Sequence, residues 1–177
     1  MRIVGGLMKF MNNIANYMIK YCYVDTCILS DILIQYNPLY SSRPLKTSKF
    51  LRPNMLNEIN NAIESSGDNG MIITSSFAFI ELINKFNEIF TDGHIQPYTI
   101  HNFIKQPPLW ITIEDLSDKT SWYIGEVPQN TPKMEPISGD DAIHLATAIS
   151  RGEPITFCTT DTRMNQLKIK NITFLTN

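Results

Sequence analysis

The chain has 177 residues, enough for one domain with a sizeable core, and 43% hydrophobic against 18% charged residues is the balance of a folded, soluble protein. A formal net charge of −2 leaves no basic footprint of the kind that bulk nucleic-acid binding requires. The three cysteines, Cys22, Cys27 and Cys158, are odd in number and form no Cys-x-x-Cys step, which argues for reduced thiols in a cytosolic protein and against a disulfide scaffold or a zinc site.

In chain order, "MRIVGGLMKFMNNIANYMIK" comes first. Its apolar run breaks at Lys9 and no small-residue cleavage site follows, so it does not read as a signal peptide. Leu7, Phe10, Met11, Ile14 and Met18 fall at helical spacing and predict a short amphipathic helix over residues 1–20, docked on its own domain or on a partner. No stretch reaches the length of a membrane span, so no membrane association is expected. Five short runs, rich in β-branched and aromatic residues, then predict strands at 21–24, 71–74, 109–113, 154–159 and 172–176. Several are apolar throughout, the pattern of parallel strands buried on both faces. Helices are predicted between them at 28–36, 54–65, 76–90, 118–124 and 139–151. Met55, Ile59 and Ile63 form the buried stripe of the second, with Gly67 as its stop. Phe79, Ile80, Ile83, Phe86 and Phe90 form that of the third. Residues 37–49 and 91–108, rich in Pro, Ser or Thr, read as loops. Strands alternating with helices predict a three-layer α/β/α sandwich with a mostly parallel central sheet of about five strands, plus the N-terminal helical extension. The domain reading is therefore an extension over 1–20 and one domain over 21–177.

In "YCYVDTCILSDIL", Asp25 follows the first strand directly. Asp161 follows "ITFCTT" in the same way. In open α/β sheets, sites form at the carboxyl ends of strands, so both carboxylates point to one edge. Glu81 lies early in the helix after "MIITSS", beside its apolar stripe. Asp141 lies in the first turn of "GDDAIHLATAIS". Each has a structural alternative. Asp25 can cap the helix that starts near Ile28, and Glu81 can pair with Lys85 at i, i+4. Ser138-x-x-Asp141 can form a capping box, and Asp161 can be a turn residue. Together, four carboxylates on one edge repel one another unless a divalent cation joins them. An all-oxygen donor set points to Mg²⁺ or Mn²⁺ and not to zinc. Thr26, Ser75 and Thr160 place hydroxyls beside the acids, as ligands of carboxylate or water or as plain cap and turn groups. His144, three residues after Asp141, is read as a packed or solvent-facing side chain. His94 and His101 fall in a predicted loop.

The blocks "YVDTCILSDIL", "TSSFAFIEL", "GDDAIHLATAI" and "FCTTDTRM" resemble, in order and character, the motifs of the PIN-domain ribonuclease family. The resemblance runs from Tyr21 to the end of the chain. It implies a catalytic, metal-binding set of Asp25, Glu81, Asp141 and Asp161, with Asp140 as a neighbour that substitutes or assists. Ala142 and Ala146 follow Asp141 in the family's register, which favours it over Asp140. Met164 stands where many members have Phe, and residues 1–20 precede the point where members often begin. The resemblance implies a Mg²⁺- or Mn²⁺-dependent endoribonuclease acting on RNA. Its most similar subgroup, the VapC-like toxins of bacterial toxin–antitoxin pairs, further implies an antitoxin partner and a homodimer. An RNA-processing nuclease without an antitoxin, and a PIN-like binding module without turnover, are the alternatives. A phosphoaspartate enzyme fits less well, because Cys27 stands where its second Asp is needed. For RNA contact, "SSRPLKTSKFLRP" supplies Arg43, Lys46, Lys49 and Arg52 with no acid among them, and Arg163 lies at the rim of the site.

Overall fold

The computed structural model describes residues 21–36, 45–66, 71–84, 97–127 and 137–176. The predicted N-terminal helix, the Gly67 stop, Lys85, Phe86, Phe90, His94 and Arg43 lie outside these residues. The described elements are β1 (Tyr21–Val24), α1 (Thr26–Gln35), α2 (Pro53–Ser66), β2 (Ile72–Ser75), α3 (Ser76–Asn84), α4 (Pro97–Lys105), β3 (Ile111–Glu114), α5 (Asp118–Glu126), α6 (Gly139–Ser150), β4 (Ile155–Thr159), a 3-10 turn (Thr162–Gln166) and β5 (Ile172–Thr176). The strands pair in the order β3-β2-β1-β4-β5, and every pairing is parallel.

Alternation along the strands builds two cores. Cys22 and Val24 of β1, Ile72 of β2 and Cys158 of β4 face one way. They meet Leu29 and Ile32 of α1, Met55 and Ile59 of α2, Phe79 and Leu82 of α3, and Ile100 and Phe103 of α4. Tyr23, Ile73, Ile155 and Phe157 face the other way, against Ala142, Leu145, Ala146 and Ala148 of α6, with Met164 and Leu167 beside them. Helices on both faces of an all-parallel sheet make the expected three layers. Register sets specific contacts as well. Tyr23 stands opposite Phe157 across β1 and β4, and the two rings stack with centroids 4.9 Å apart.

Two expectations change. Residues 97–105, read as loop, form α4. Pro97 occupies its first position, where a missing N–H costs nothing, and Ile100 and Phe103 at i, i+3 turn inward. On α3 the buried side chains are Ala78, Phe79, Glu81 and Leu82, while Ile80 and Ile83 are about half exposed, at 50% and 56%. That helix is apolar on almost every side, so spacing alone does not select its inner face.

The topology fixes where a site can form. From β1 the chain steps outward through β2 to β3, then returns to place β4 on the other side of β1. The order therefore reverses between β1 and β4. A crevice opens at the carboxyl ends of strands at such a point. The two strand ends are tied there by a hydrogen bond from the Asp25 amide to the Cys158 carbonyl, 3.3 Å. Among the described residues no helix is long and apolar enough to cross a membrane.

Candidate active site

Asp25 ends β1 at this crevice. Its Oδ1 accepts the Ile28 amide proton at 3.0 Å and caps α1, so the acid is a helix cap and a site residue at once. Its side chain is buried. Burial pushes the carboxyl above its usual range. Hydrogen bonds from the Thr159 side chain and the Ile28 amide, and then the nearby His144, oppose that push; the nearby Asp141 adds to it. The hydroxyl that reaches Asp25 is thus Thr159's, on β4. Thr160, the hydroxyl expected there, follows it and is half-buried.

Glu81 comes from α3 and is also buried; Lys85, its candidate i, i+4 partner, lies outside the described residues. Thr26, next to Asp25, donates its hydroxyl proton to Glu81 Oε2. Asp141 sits in the first turn of α6. Ser138 caps that helix by accepting the Asp141 amide proton at 3.1 Å, the first half of the predicted capping box, and its hydroxyl donates to Asp141 Oδ2 at 2.7 Å. Asp140, beside it, is exposed.

Asp161 ends the β4 segment and caps the 3-10 turn through the Arg163 amide, 2.9 Å from its Oδ1. The Arg163 guanidinium donates to both carboxylate oxygens of Asp161, with Nη2 2.6 Å from Oδ2. The same Nη2 stands 3.8 Å from Asp141 Oδ2. Arg163 therefore bridges two of the acids, and its hydrogen bond holds the Asp161 carboxyl below the usual carboxylate range. The acids are linked pairwise. Glu81 joins Asp25 through Thr26, Asp25 feels Asp141, and Arg163 links Asp141 to Asp161.

His144 lies at the centre of this edge and is not solvent-facing. It is 3% exposed, with Nε2 2.6 Å from Glu81 Oε2 and 3.0 Å from Thr26 Oγ1. Its Nδ1 is 2.9 Å from the Tyr23 hydroxyl and 3.3 Å from the Ser75 hydroxyl. Ser75 also caps α3 by accepting the Ala78 amide proton at 3.2 Å.

Compared with known proteins, the chain matches no family model and no curated protein sequence. The site is therefore read from its own geometry.

In kind, the donors suit a hard divalent cation, since all four acids offer oxygen. In spacing, the described residues include no group of three or more His, Cys, Asp or Glu side chains placed to hold an ion. The acids are paired instead with groups of the chain itself, Asp141 and Asp161 with Arg163 and Glu81 with His144. A cation held by Asp141 and Asp161 would compete with Arg163 for them.

Of the basic residues proposed for RNA contact, Lys46, Lys49 and Arg52 are exposed. Their segment is not a loose linker. A fifth acid, Asp31 of α1, is buried and accepts protons from the Ser48 hydroxyl at 2.5 Å, the Phe50 amide at 2.6 Å and the Leu51 amide at 3.0 Å. Asp31 thus builds structure and stands outside the acidic edge. Lys49 packs over the Phe50 ring, 4.9 Å from its centroid.

Proposed function

We propose that this protein is a metal-dependent endoribonuclease of the PIN type, acting in the cytoplasm as the toxin of a toxin–antitoxin pair. The observations that support the proposal are Asp25, desolvated at the β1–β4 switch point, and Asp141 and Asp161 linked through Arg163.

Asp25 and Asp141 are the central ligands for Mg²⁺ or Mn²⁺, and Glu81 and Asp161 complete the set or orient the attacking water. A bound divalent ion would neutralise the phosphodiester and raise the acidity of water at the site. The remaining roles belong to the chain. Thr26 fixes Glu81, and Thr159 and the Ile28 amide fix Asp25, so neither acid reorganises during the reaction. Arg163, freed from Asp141 and Asp161, is a forked donor at the rim with the right shape for a phosphate. Hydrolysis places the hydroxyl of water on phosphorus and its proton on the departing ribose oxygen. With a net charge of −2, attraction of the substrate falls to a bound metal and a local groove and not to a charged surface.

The deciding experiment is cleavage of structured and single-stranded RNAs with Mg²⁺ or Mn²⁺, and again with EDTA. We expect metal-dependent cutting by the wild type, abolished by EDTA and lowered at least a hundredfold in Asp25→Asn and in Asp141→Asn, about 3 kcal/mol of transition-state stabilisation. Cutting that survives both substitutions would sink the assignment. A second reading, a PIN-like module that binds without turnover, draws on the pairing of Asp141 and Asp161 with Arg163. It predicts RNA binding with no cleavage in any metal, unchanged by Asp25→Asn.

A further inference from the structure

Among the buried titratable groups, His144 has no role in the proposed chemistry, yet four other elements converge on it. Tyr23 comes from β1, Thr26 from α1, Ser75 from β2 and Glu81 from α3, while His144 itself rides on α6. Phe77 closes the pocket edge-on, its ring centroid 5.6 Å away. Such a position is unusual for an ionisable side chain, because each of its polar atoms must find a partner without water.

The protons of this cluster can be assigned one by one. Burial pushes the Tyr23 hydroxyl far above its usual value, so it keeps its proton. We assign that proton to the bond with Nδ1, at 2.9 Å, which then accepts. A neutral imidazole that accepts at Nδ1 carries its proton on Nε2. Nε2 points at Glu81 Oε2, at 2.6 Å, and at Thr26 Oγ1, at 3.0 Å. The Thr26 proton is already committed to Glu81, so the Thr26 oxygen can only accept from Nε2. Every donor in the relay from Tyr23 through His144, and from Thr26, therefore points toward the same carboxylate oxygen. Among the described residues no buried side-chain nitrogen or oxygen lacks a hydrogen-bond partner.

We propose that His144 is the positioning residue of the site, accepting a hydrogen bond from the Tyr23 hydroxyl at Nδ1 and donating Nε2–H to Glu81. It fixes the orientation of that carboxylate at the acidic edge. It touches neither substrate nor reacting atoms and acts through Glu81. A donor relay that ends on an acid of the site is how outer residues hold ligands in place. Its effect on turnover rests on the nuclease reading. Its hydrogen-bond assignment does not.

The test compares wild type with His144→Leu, His144→Gln, Glu81→Gln and the double variant His144→Leu/Glu81→Gln. Ring-nitrogen NMR of the wild type at neutral pH should find the proton on Nε2. In RNA cleavage with Mn²⁺, His144→Leu should lose about 10–100-fold, the usual cost of removing such a partner. The loss should fall in kcat, with KM for RNA changed less than about twofold. His144→Gln restores an N–H donor and should recover most of the rate. The double variant should be no slower than Glu81→Gln alone, because the two side chains act as one unit. If His144→Leu does not fold, the wild-type spectrum and the His144→Gln rate still decide. A proton on Nδ1 overturns the proposal. So does a folded His144→Leu that cuts at the wild-type rate, a folded His144→Gln as slow as His144→Leu, or a double variant showing the product of the two losses. Wild-type protein that cleaves RNA with neither Mg²⁺ nor Mn²⁺, yet keeps Nε2–H, overturns the nuclease reading and leaves the anchoring of Glu81 standing.

Discussion

Burial holds the Asp25 carboxyl above the usual carboxylate range, and Asp161 sits below it because Arg163 hydrogen-bonds to it. These shifts have opposite consequences for stability. Asp25 binds its proton more readily in the folded protein, so its contribution to stability falls as pH rises from the ordinary carboxylate value through its raised one. Asp161 contributes stability above the ordinary value, and that contribution is lost as pH falls through its lowered one. It follows that Asp25→Asn should stabilise the metal-free protein at neutral pH while removing activity, since Asn still caps α1. Thermal melting in EDTA checks this, with Tm expected to rise by about 2–4 °C for each kcal/mol relieved. Arg163→Ala should do the reverse. It leaves Asp141 and Asp161 facing each other, costs about 0.2–1 kcal/mol in EDTA as a partly exposed pair does, and tightens Mn²⁺ binding in calorimetry. An unchanged Mn²⁺ affinity would mean that Arg163 does not compete for the acids.

At the scale of elements, strands were readable because short β-branched runs between turn residues leave few other options. The run at 172–176 coincides with β5, and the others differ from β1–β4 at most at their ends. Helix α4 was not readable in the same way, since Pro97 at its start and Pro107 and Pro108 after it look like loop punctuation. Yet Phe103 is completely buried and stands edge-on to Tyr36, so this helix belongs to the core. Phe103→Ala should destabilise the protein by about 3–5 kcal/mol in urea unfolding, a loss no exposed loop could produce. Asp25, Asp141 and Asp161 stood out because each marks a strand end or a first helical turn, and Glu81 because it lies early in the helix after β2. What surrounds them was not legible. Tyr23 lies 121 residues from His144, and Glu81 lies 63 from it, and nothing in a lone histidine announces partners that distant.

For the molecule as a whole, β1 is paired on both sides and covered on both faces, and it carries the acid that opens the site. Rigidity and chemistry therefore share one strand. Native-state hydrogen exchange should find the slowest amides in β1, β2 and β4, and faster ones in β5, whose residues are only half-buried and which stands at a sheet edge. Comparable protection in β5 would mean that further structure covers that edge.

The parallel sheet also decides what an experimenter can safely attach to the chain. Every strand ends on the edge that holds the acids, and β5 is no exception. Thr176, its last residue, accepts a hydrogen bond from Asn165 at 2.5 Å, within the turn that Asp161 caps. Anything fused after Thr176 therefore leaves beside the acids. A polyhistidine purification handle placed there would bring a row of metal-seeking imidazoles to the mouth of the crevice and distort every titration made on it, whereas β1 begins at the opposite edge.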